Sequence, residues 1–171
     1  LAKDGIVSQV YPLKGNEQAL GLDMLNNPQR KKEARLAKQS REYTIAGPYE
    51  LVQGGTGALL FNPIYMEKGG QDDNFWGFSI LVINWEKFIE EIELDKLESA
   101  GYYYQIWKKD IYTGEKVIID KSSETDSTNM LEVTCKVPND TWYFDIVPKN
   151  GWISRPQIAF SFFVAIILAL F

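Results

Sequence analysis

Histidine is absent from this chain of 171 residues, and cysteine occurs only once. The absence of histidine excludes Ser-His-Asp and Cys-His catalytic sites, histidine general bases and most zinc sites. The single cysteine, Cys135, also excludes a disulfide within the chain. Apolar and polar residues alternate around Cys135, and we therefore predict that it occupies a buried position on a β-strand.

Positive charge is also scarce, since 18 lysines and arginines face 23 acidic residues and the net charge is −5. This balance argues against nucleic acid as a partner, because binding to phosphates requires a basic surface. The cations concentrate in a helix predicted from about Pro28 to Arg41. That helix could form a phosphate-binding surface, but the acidic total favours a solvated helix face lying on a sheet.

Motifs for catalysis, cofactors and metals are missing as well. The sequence GGTG at residues 54–57 precedes a predicted strand, whereas a Walker loop has a lysine and leads into a helix. Asp72, Asp73 and Asn74 lack the spacing of an EF-hand loop. The carboxylates of residues 86–93 lie beside lysines, which is typical of a solvated helix face. We therefore predict a non-catalytic chain without a cofactor or a metal.

Charge is absent from the segment Pro156–Phe171, and from residue 158 onward Ser161 is its only polar residue. A helix over residues 158–171 would be about 21 Å long, whereas a bilayer core is about 30 Å thick. Trp152 and Arg155 precede this run, as is typical of a membrane interface. We predict the start of a truncated transmembrane helix over residues 156–171, with a buried core helix as the alternative. Because no signal peptide precedes the first turn and strand, we also expect a missing upstream anchor.

Short strands dominate the rest of the chain. Before residue 85 they are predicted at residues 6–11, 43–45, 50–53, 58–65 and 75–83, and glycines at 54–57 form a hairpin turn. Asn84 is expected to cap a second helix from Trp85 to about Ser99, which ends at Gly101. After Gly101 the pattern predicts strands at residues 102–110, 116–120, 131–137 and 142–148. The fold class is therefore α+β, with two small antiparallel sheets that are each paired with a helix.

Several stretches in a fixed order resemble the CHASE domain, a sensory module of histidine kinases, nucleotide cyclases and diguanylate cyclases. They are DGIVSQVYPLKGNEQALGLDML (Asp4–Leu25), the basic helix, the Gly47-Pro48 step, LVQGGTGALLFNPIY (Leu51–Tyr65), Gly77-Phe78 and VPNDTWYFDIVPKNGW (Val137–Trp152). The resemblance implies two PAS-like lobes, which are antiparallel sheets with flanking helices. It also implies a long helical stalk and a first membrane span before Leu1.

The resemblance divides the chain into three parts. Residues 1–85 would form a membrane-distal lobe that binds the ligand. Residues 86–153 would form a linking helix and a membrane-proximal lobe, and residues 156–171 the truncated transmembrane helix. The domain would face outward from a cell membrane, periplasmic or extracellular, and would form a homodimer.

Candidate ligand-binding residues also come from the resemblance. In the plant cytokinin receptors of this family, a ligand-contacting carboxylate is similar in position to Gln29, a pocket threonine to Phe61 and a backbone-contacting leucine to Val52. The neutral Gln29 and the bulky Phe61 depart from that pattern and disfavour an adenine-type ligand. The remaining candidates, each of which could equally belong to the core, are Leu22, Asp23, Tyr49, Leu60, Tyr65 and Phe78.

These observations lead to two hypotheses about function. The first is an extracytoplasmic small-ligand sensor domain of a transmembrane receptor of the histidine kinase or diguanylate cyclase type. The alternative is a dimerisation or protein-interaction module that does not bind a ligand. A polar group inside an enclosed cavity of the distal lobe would favour the sensor. An exposed apolar patch around residues 102–107 would favour the interaction module.

Overall fold

The computed structural model describes residues 1–68, 71–123, 129–152 and 155–169. They form two antiparallel sheets with a few helices, which confirms the predicted α+β class. The first sheet has the strand order β2-β1-β5-β4-β3 and the second has the order β7-β6-β9-β8. The strands of the first sheet are β1 (Ala2–Lys3), β2 (Ile6–Val7), β3 (Thr44–Glu50), β4 (Thr56–Lys68) and β5 (Gln71–Asn84). The strands of the second are β6 (Tyr102–Lys109), β7 (Lys116–Lys121), β8 (Leu131–Val137) and β9 (Asp140–Pro148).

The first sheet is built on the long β4–β5 hairpin, in which Phe61 lies opposite Ile80. The hairpin of β1 and β2 adds to the free side of β5, where Ala2 lies opposite Phe78. A side chain at Gly77 could not be accommodated there, because its Cβ would lie 2.1 Å from the carbonyl oxygen of Ala2. The sequence predicted a strand over residues 6–11, but only Ile6–Val7 is paired, and β1 was not predicted. Segments this short carry too little periodicity to indicate pairing.

Helix α1 (Lys31–Ser40) packs on the first sheet through small side chains. Ala34 and Ala37 are fully buried with Phe61 and Phe78, whose ring centroids are 5.2 Å apart in an edge-to-face arrangement. Most of the helix cations lie on the exposed or half-buried side, as the solvated-face interpretation predicted. Arg30, at the N-cap position, is the exception, because its side chain is buried.

Two short helices replace the single helix predicted from Trp85 to about Ser99. Helix α2 (Trp85–Glu91) begins at Asn84, whose side chain accepts a hydrogen bond from the backbone N–H of Lys87, as expected for a cap. Helix α3 (Leu94–Ser99) starts after Glu93, which has a left-handed φ of 53°. A left-handed residue cannot continue a right-handed helix, so the chain turns at this point.

A second hydrophobic core joins the two sheets. Ile45, Ala58 and Trp85 from the first half of the chain pack with side chains of the second half. The indole rings of Trp85 and Trp142 meet edge to face with their centroids 5.9 Å apart. The other buried members of this shared core are Leu94, Tyr104 and Ile106.

Cys135 lies on β8, as predicted, but the prediction that it is buried was wrong because its side chain is exposed. Among the strands that the structure describes, β8 pairs only with β9 at the edge of the second sheet, and Cys135 lies opposite Trp142 there. All residues of β8 but the last are exposed, although Leu131 and Val133 are apolar. Alternation in sequence therefore indicated the strand without indicating whether a layer covers it.

The apolar C-terminal run is a helix, α4 (Arg155–Ala169), which agrees with the helical prediction. Within it, every side chain that the structure describes is exposed, namely those of residues 159, 160 and 162–167. Among the described residues, no helix combines the length and the hydropathy that crossing a membrane requires.

Candidate ligand-binding site

A cavity of about 440 Å³ is lined by the N-terminal segment and by the first sheet. We call it the first-sheet cavity. Its volume falls within the range of about 300–1,000 Å³ that is usual for small-molecule sites. Its apolar lining residues include Val7, Val10, Leu22 and Met24 from the N-terminal segment and Leu51, Leu59, Ile80 and Val82 from the sheet side.

Hydrogen bonds within the chain hold several of the polar groups around this cavity. The side-chain amide of Asn16 donates to the carbonyl oxygen of Pro12 at 2.9 Å, which holds the loop of the N-terminal segment. The backbone N–H of Thr56 donates to a carboxylate oxygen of Glu86 at 3.1 Å, and Asn84 caps α2. The polar edge of the cavity is therefore largely fixed by the fold before any ligand binds.

Arg30 is the one residue with a charged side chain among those that line the first-sheet cavity. Its side chain is only 3% exposed, and its Nη2 donates to the carbonyl oxygen of Glu50 at 3.1 Å. The guanidinium carbon lies 5.8 Å from the centroid of the Tyr49 ring. Nε has no hydrogen-bond partner among the described residues. Burial lowers the pKa of Arg30, because the charged form loses hydration, and the Tyr49 hydroxyl partly opposes this shift.

Behind Arg30, buried polar groups connect the first sheet with the second. The hydroxyl of Tyr49 donates to Glu33 Oε2 at 2.8 Å, and Lys108 Nζ donates to Glu33 Oε1 at 3.4 Å. Lys108 Nζ also lies 3.7 Å from Asp140 Oδ2. Burial and then the charge of Glu33 raise the pKa of Tyr49, so its hydroxyl stays protonated and can donate. We call Tyr49, Glu33, Lys108 and Asp140 the inter-sheet network.

Further contacts cross between the sheets. Lys32 on α1 forms an ion pair with Asp110 after β6, with Nζ and Oδ2 separated by 2.5 Å. The backbone N–H of Ile45 donates to the carbonyl oxygen of Pro138 at 3.0 Å. The side-chain amide of Asn139 donates to Thr44 Oγ1 at 3.0 Å. A movement of α1 or β3 would therefore change contacts with the second sheet directly.

The nine candidate residues lie in several different places. Leu22 lines the first-sheet cavity, whereas Gln29 and Tyr49 line a second cavity of about 290 Å³ beside Lys108. Phe61 and Phe78 are core residues with no exposed surface, and Leu60 packs against the shared core.

The other three candidates lie in turns or on the surface. Asp23 accepts hydrogen bonds from the backbone of Leu25 and Asn26 and thereby holds a turn. Val52 is exposed in the β3–β4 turn, and the Tyr65 hydroxyl donates to the carbonyl oxygen of Lys38. Contact of any of the nine with a ligand stays a prediction.

Sequence reasoning missed Arg30 as a site residue, because it was grouped with the solvated cations of the following helix. One signal was available in the sequence: Arg30 precedes the small apolar residues Ala34 and Ala37 by four and seven positions. Residues at spacings of three and four share a helix face, so Arg30, Ala34 and Ala37 lie on the buried side.

The first-sheet cavity has mainly apolar walls and one buried cation, which is a composition typical of small-molecule sites. Residues 4–120 match the CHASE domain family. Because the match covers more than half of the 171 residues, the chain belongs to that family, as the sequence predicted. CHASE domains are extracytoplasmic and sensory, so this chain is an extracytoplasmic, non-catalytic sensor domain.

The fold is similar to that of an extracellular ligand binding receptor from Desulfohalobium retbaense DSM5692, with a TM-score of 0.55 and 16% sequence identity. The similarity covers 83% of this chain and 28% of that receptor, so this chain spans less than a third of the receptor's length. At this identity the similarity establishes a shared fold alone. A comparison with curated proteins gave no match.

Proposed function

We propose that this chain binds a small molecule in the first-sheet cavity and reports its presence to a transmembrane receptor of the histidine kinase or diguanylate cyclase type. One observation carries the proposal: a partly open cavity of about 440 Å³ joins mainly apolar walls to a single buried cationic side chain. Apolar walls supply the affinity for a small ligand, and a few fixed polar groups supply its orientation.

The proposed arrangement in the receptor follows the two sheets. Residues 1–85 would act as the membrane-distal, PAS-like lobe, and residues 86–153 as the linking helices and the proximal lobe. Helix α4 would begin the membrane segment over residues 156–171 and pass the signal to the output domain. The exposed apolar side chains of α4 between residues 159 and 167 support a lipid or helix partner for this segment.

Signalling would work as a population shift between two arrangements of the sheets. A ligand in the first-sheet cavity contacts Arg30, which lies against Tyr49. Tyr49 is hydrogen-bonded to Glu33, which is paired with Lys108 of the second sheet. A ligand that favours one position of Arg30 and Tyr49 therefore biases the inter-sheet network, provided that it binds the two arrangements with different affinity.

A thermal-shift screen of the purified chain tests the binding step. The compounds are amino acids, organic acids, purines and phenolics. A compound at about 100 times its dissociation constant adds about 2.7 kcal/mol to the free energy of unfolding, which is a shift of several degrees. Ile80→Trp should abolish any shift, because it fills the cavity from the sheet side.

Leu131→Trp is the matched control, since it adds the same ring on an exposed strand of the second sheet. It should leave the shift unchanged. A folded chain that responds to none of the compounds, or equally in Ile80→Trp and in the wild type, would contradict the proposal.

The alternative, a dimerisation or interaction module, has one observation in its favour. Leu131 and Val133 are 54% and 52% exposed on the edge strand β8. Residues 102–107, which were expected to be exposed in such a module, are instead buried or half-buried. Sedimentation of the chain and of Val133→Arg would test this alternative, because a dimer formed through β8 should dissociate in the variant.

A further inference from the structure

We propose that the first-sheet cavity selects a ligand that carries a carboxylate or a similar small anion on an apolar body, with the anion paired to Arg30. This inference rests on the proposed function, because it assumes that the cavity binds a ligand. It adds the chemical class of that ligand, which neither the fold nor the family specifies.

The argument begins with the cost of burying Arg30. A charged side chain that is removed from water normally gains a partner of opposite charge, because an unpaired buried charge is strongly destabilising. Among the described residues, Arg30 forms no ion pair, and the carbonyl oxygen of Glu50 is its one hydrogen-bond acceptor. The nearby carboxylate of Glu33 is engaged by Tyr49 and Lys108.

The guanidinium therefore retains capacity for an anion. Arginine carries five N–H donors in a planar group that matches the two oxygens of a carboxylate. Nε is covered by neighbouring atoms and has no acceptor among the described residues. Arg30 also lines the first-sheet cavity, so an anion bound there would lie beside this side chain.

The rest of the cavity defines the rest of the ligand. Its walls are mainly aliphatic, from residues such as Val7, Leu22, Leu59 and Ile80. Among the lining residues no acidic side chain is present, so no carboxylate there would pair with an ammonium group. The structure therefore favours an aliphatic or aromatic monoanion over a zwitterion or a cation.

The experiment compares acids with their neutral amides, which have nearly the same shape. The probes are straight-chain monocarboxylates of two to eight carbons, benzoate and phenylacetate, each paired with its amide. Thermal shift at about 10 mM identifies the acids that bind, and calorimetry gives their affinities. We expect the best acid to bind at least about tenfold more tightly than its amide, because only the acid forms charge-assisted hydrogen bonds.

Arg30→Met should remove this preference for the acid. Arg35→Met is the matched control, because it removes the same charge five positions further along, within α1, and Arg35 donates to Leu25 and Asn26 outside the cavity. Arg35→Met should retain the wild-type preference. If Arg30→Met does not fold, the comparison of acid and amide in the wild type decides the question.

Equal affinity for acids and amides, or an acid preference that persists in Arg30→Met, would overturn the inference. So would the absence of any shift with the acids. If neutral compounds bind and Ile80→Trp blocks them, the inference fails while the sensor function stands. If no compound of any class binds, the proposed function fails with it.

Discussion

The two sheets differ in how their hydrophobic cores are completed. The first sheet has a core of its own, in which Phe61 and Phe78 are enclosed by α1 and the N-terminal strands. Three buried hydrophobic side chains of the second sheet lie in the shared core: Tyr104, Ile106 and Trp142 pack there with Ile45, Ala58 and Trp85. The strand β8 at its edge is exposed almost throughout.

This difference suggests a division of roles. A sheet with its own core can keep a cavity open and still remain folded, whereas a sheet whose core is an interface responds to its neighbour. Local stability in proteins follows such differences in buried contacts. The second sheet is therefore suited to transmit a change in the first, and four experiments test this comparison.

The largest effect is expected from Trp142→Ala, which removes a buried ring from the shared core. The loss should be about 3–5 kcal/mol in the free energy of unfolding, measured by urea denaturation. Hydrogen exchange should show amides of β6 and β9 losing more protection than those around Phe61. Trp152→Ala is the control, because Trp152 is half exposed. Equal loss of protection in both sheets would contradict the proposed asymmetry.

Lys108→Met should cost somewhat less, about 3 kcal/mol, because it leaves the buried carboxylate of Glu33 without its cation. Adding Glu33→Gln should restore part of that loss, which a double-mutant cycle would measure. Lys109→Met is the control, since Lys109 is exposed on the adjacent position of β6. An additive double mutant would show that the inter-sheet network does not couple the sheets energetically.

Lowering the pH should weaken the Lys32–Asp110 ion pair. The resulting loss in the free energy of unfolding should be smaller than the losses expected for Trp142→Ala and Lys108→Met. The hydrogen bond from Lys32 first, and then those from the backbone of Thr113 and Tyr112, hold the pKa of Asp110 well below its usual range. The folded pKa lies below the unfolded value near 3.9, so this stabilisation is present above about pH 4. It is lost as the pH falls further.

Lys32→Met should flatten this acid dependence of stability and cost under about 1 kcal/mol at neutral pH, because the pair is partly exposed. Urea unfolding of the wild type and the variant at several pH values between about 2 and 6 would measure this pH dependence of stability. An acid dependence identical to that of the wild type would show that this bridge does not contribute.

The smallest effect on stability is expected at Cys135. Cys135→Ser should change the free energy of unfolding by less than about 0.5 kcal/mol, because the side chain is exposed on the edge strand. A maleimide should label Cys135 in the folded chain at nearly the rate seen in denaturant. Strong protection of the thiol would show that a partner or a second copy covers β8.

The α+β class, the four strands after Gly101 and membership in the CHASE family could all be predicted from local sequence patterns. Strand alternation, caps and turn residues act over a few positions, and such patterns can be recognised without knowing the rest of the fold. The asparagine cap before Trp85 is an example, because its donor lies only three residues away. The membrane segment, the lobes and the nine ligand contacts remain predictions.

The tertiary structure decided which sides of these elements are covered. Arg30 is buried, while the other cations of its segment are exposed or half-buried. Cys135 is exposed, although the sequence of its strand alternates between apolar and polar residues. Both outcomes depend on residues far apart in the chain: Arg30 donates to the carbonyl oxygen of Glu50, and Cys135 lies on the strand at the edge of the second sheet. Burial is set by what packs on a surface, and local sequence does not specify that partner.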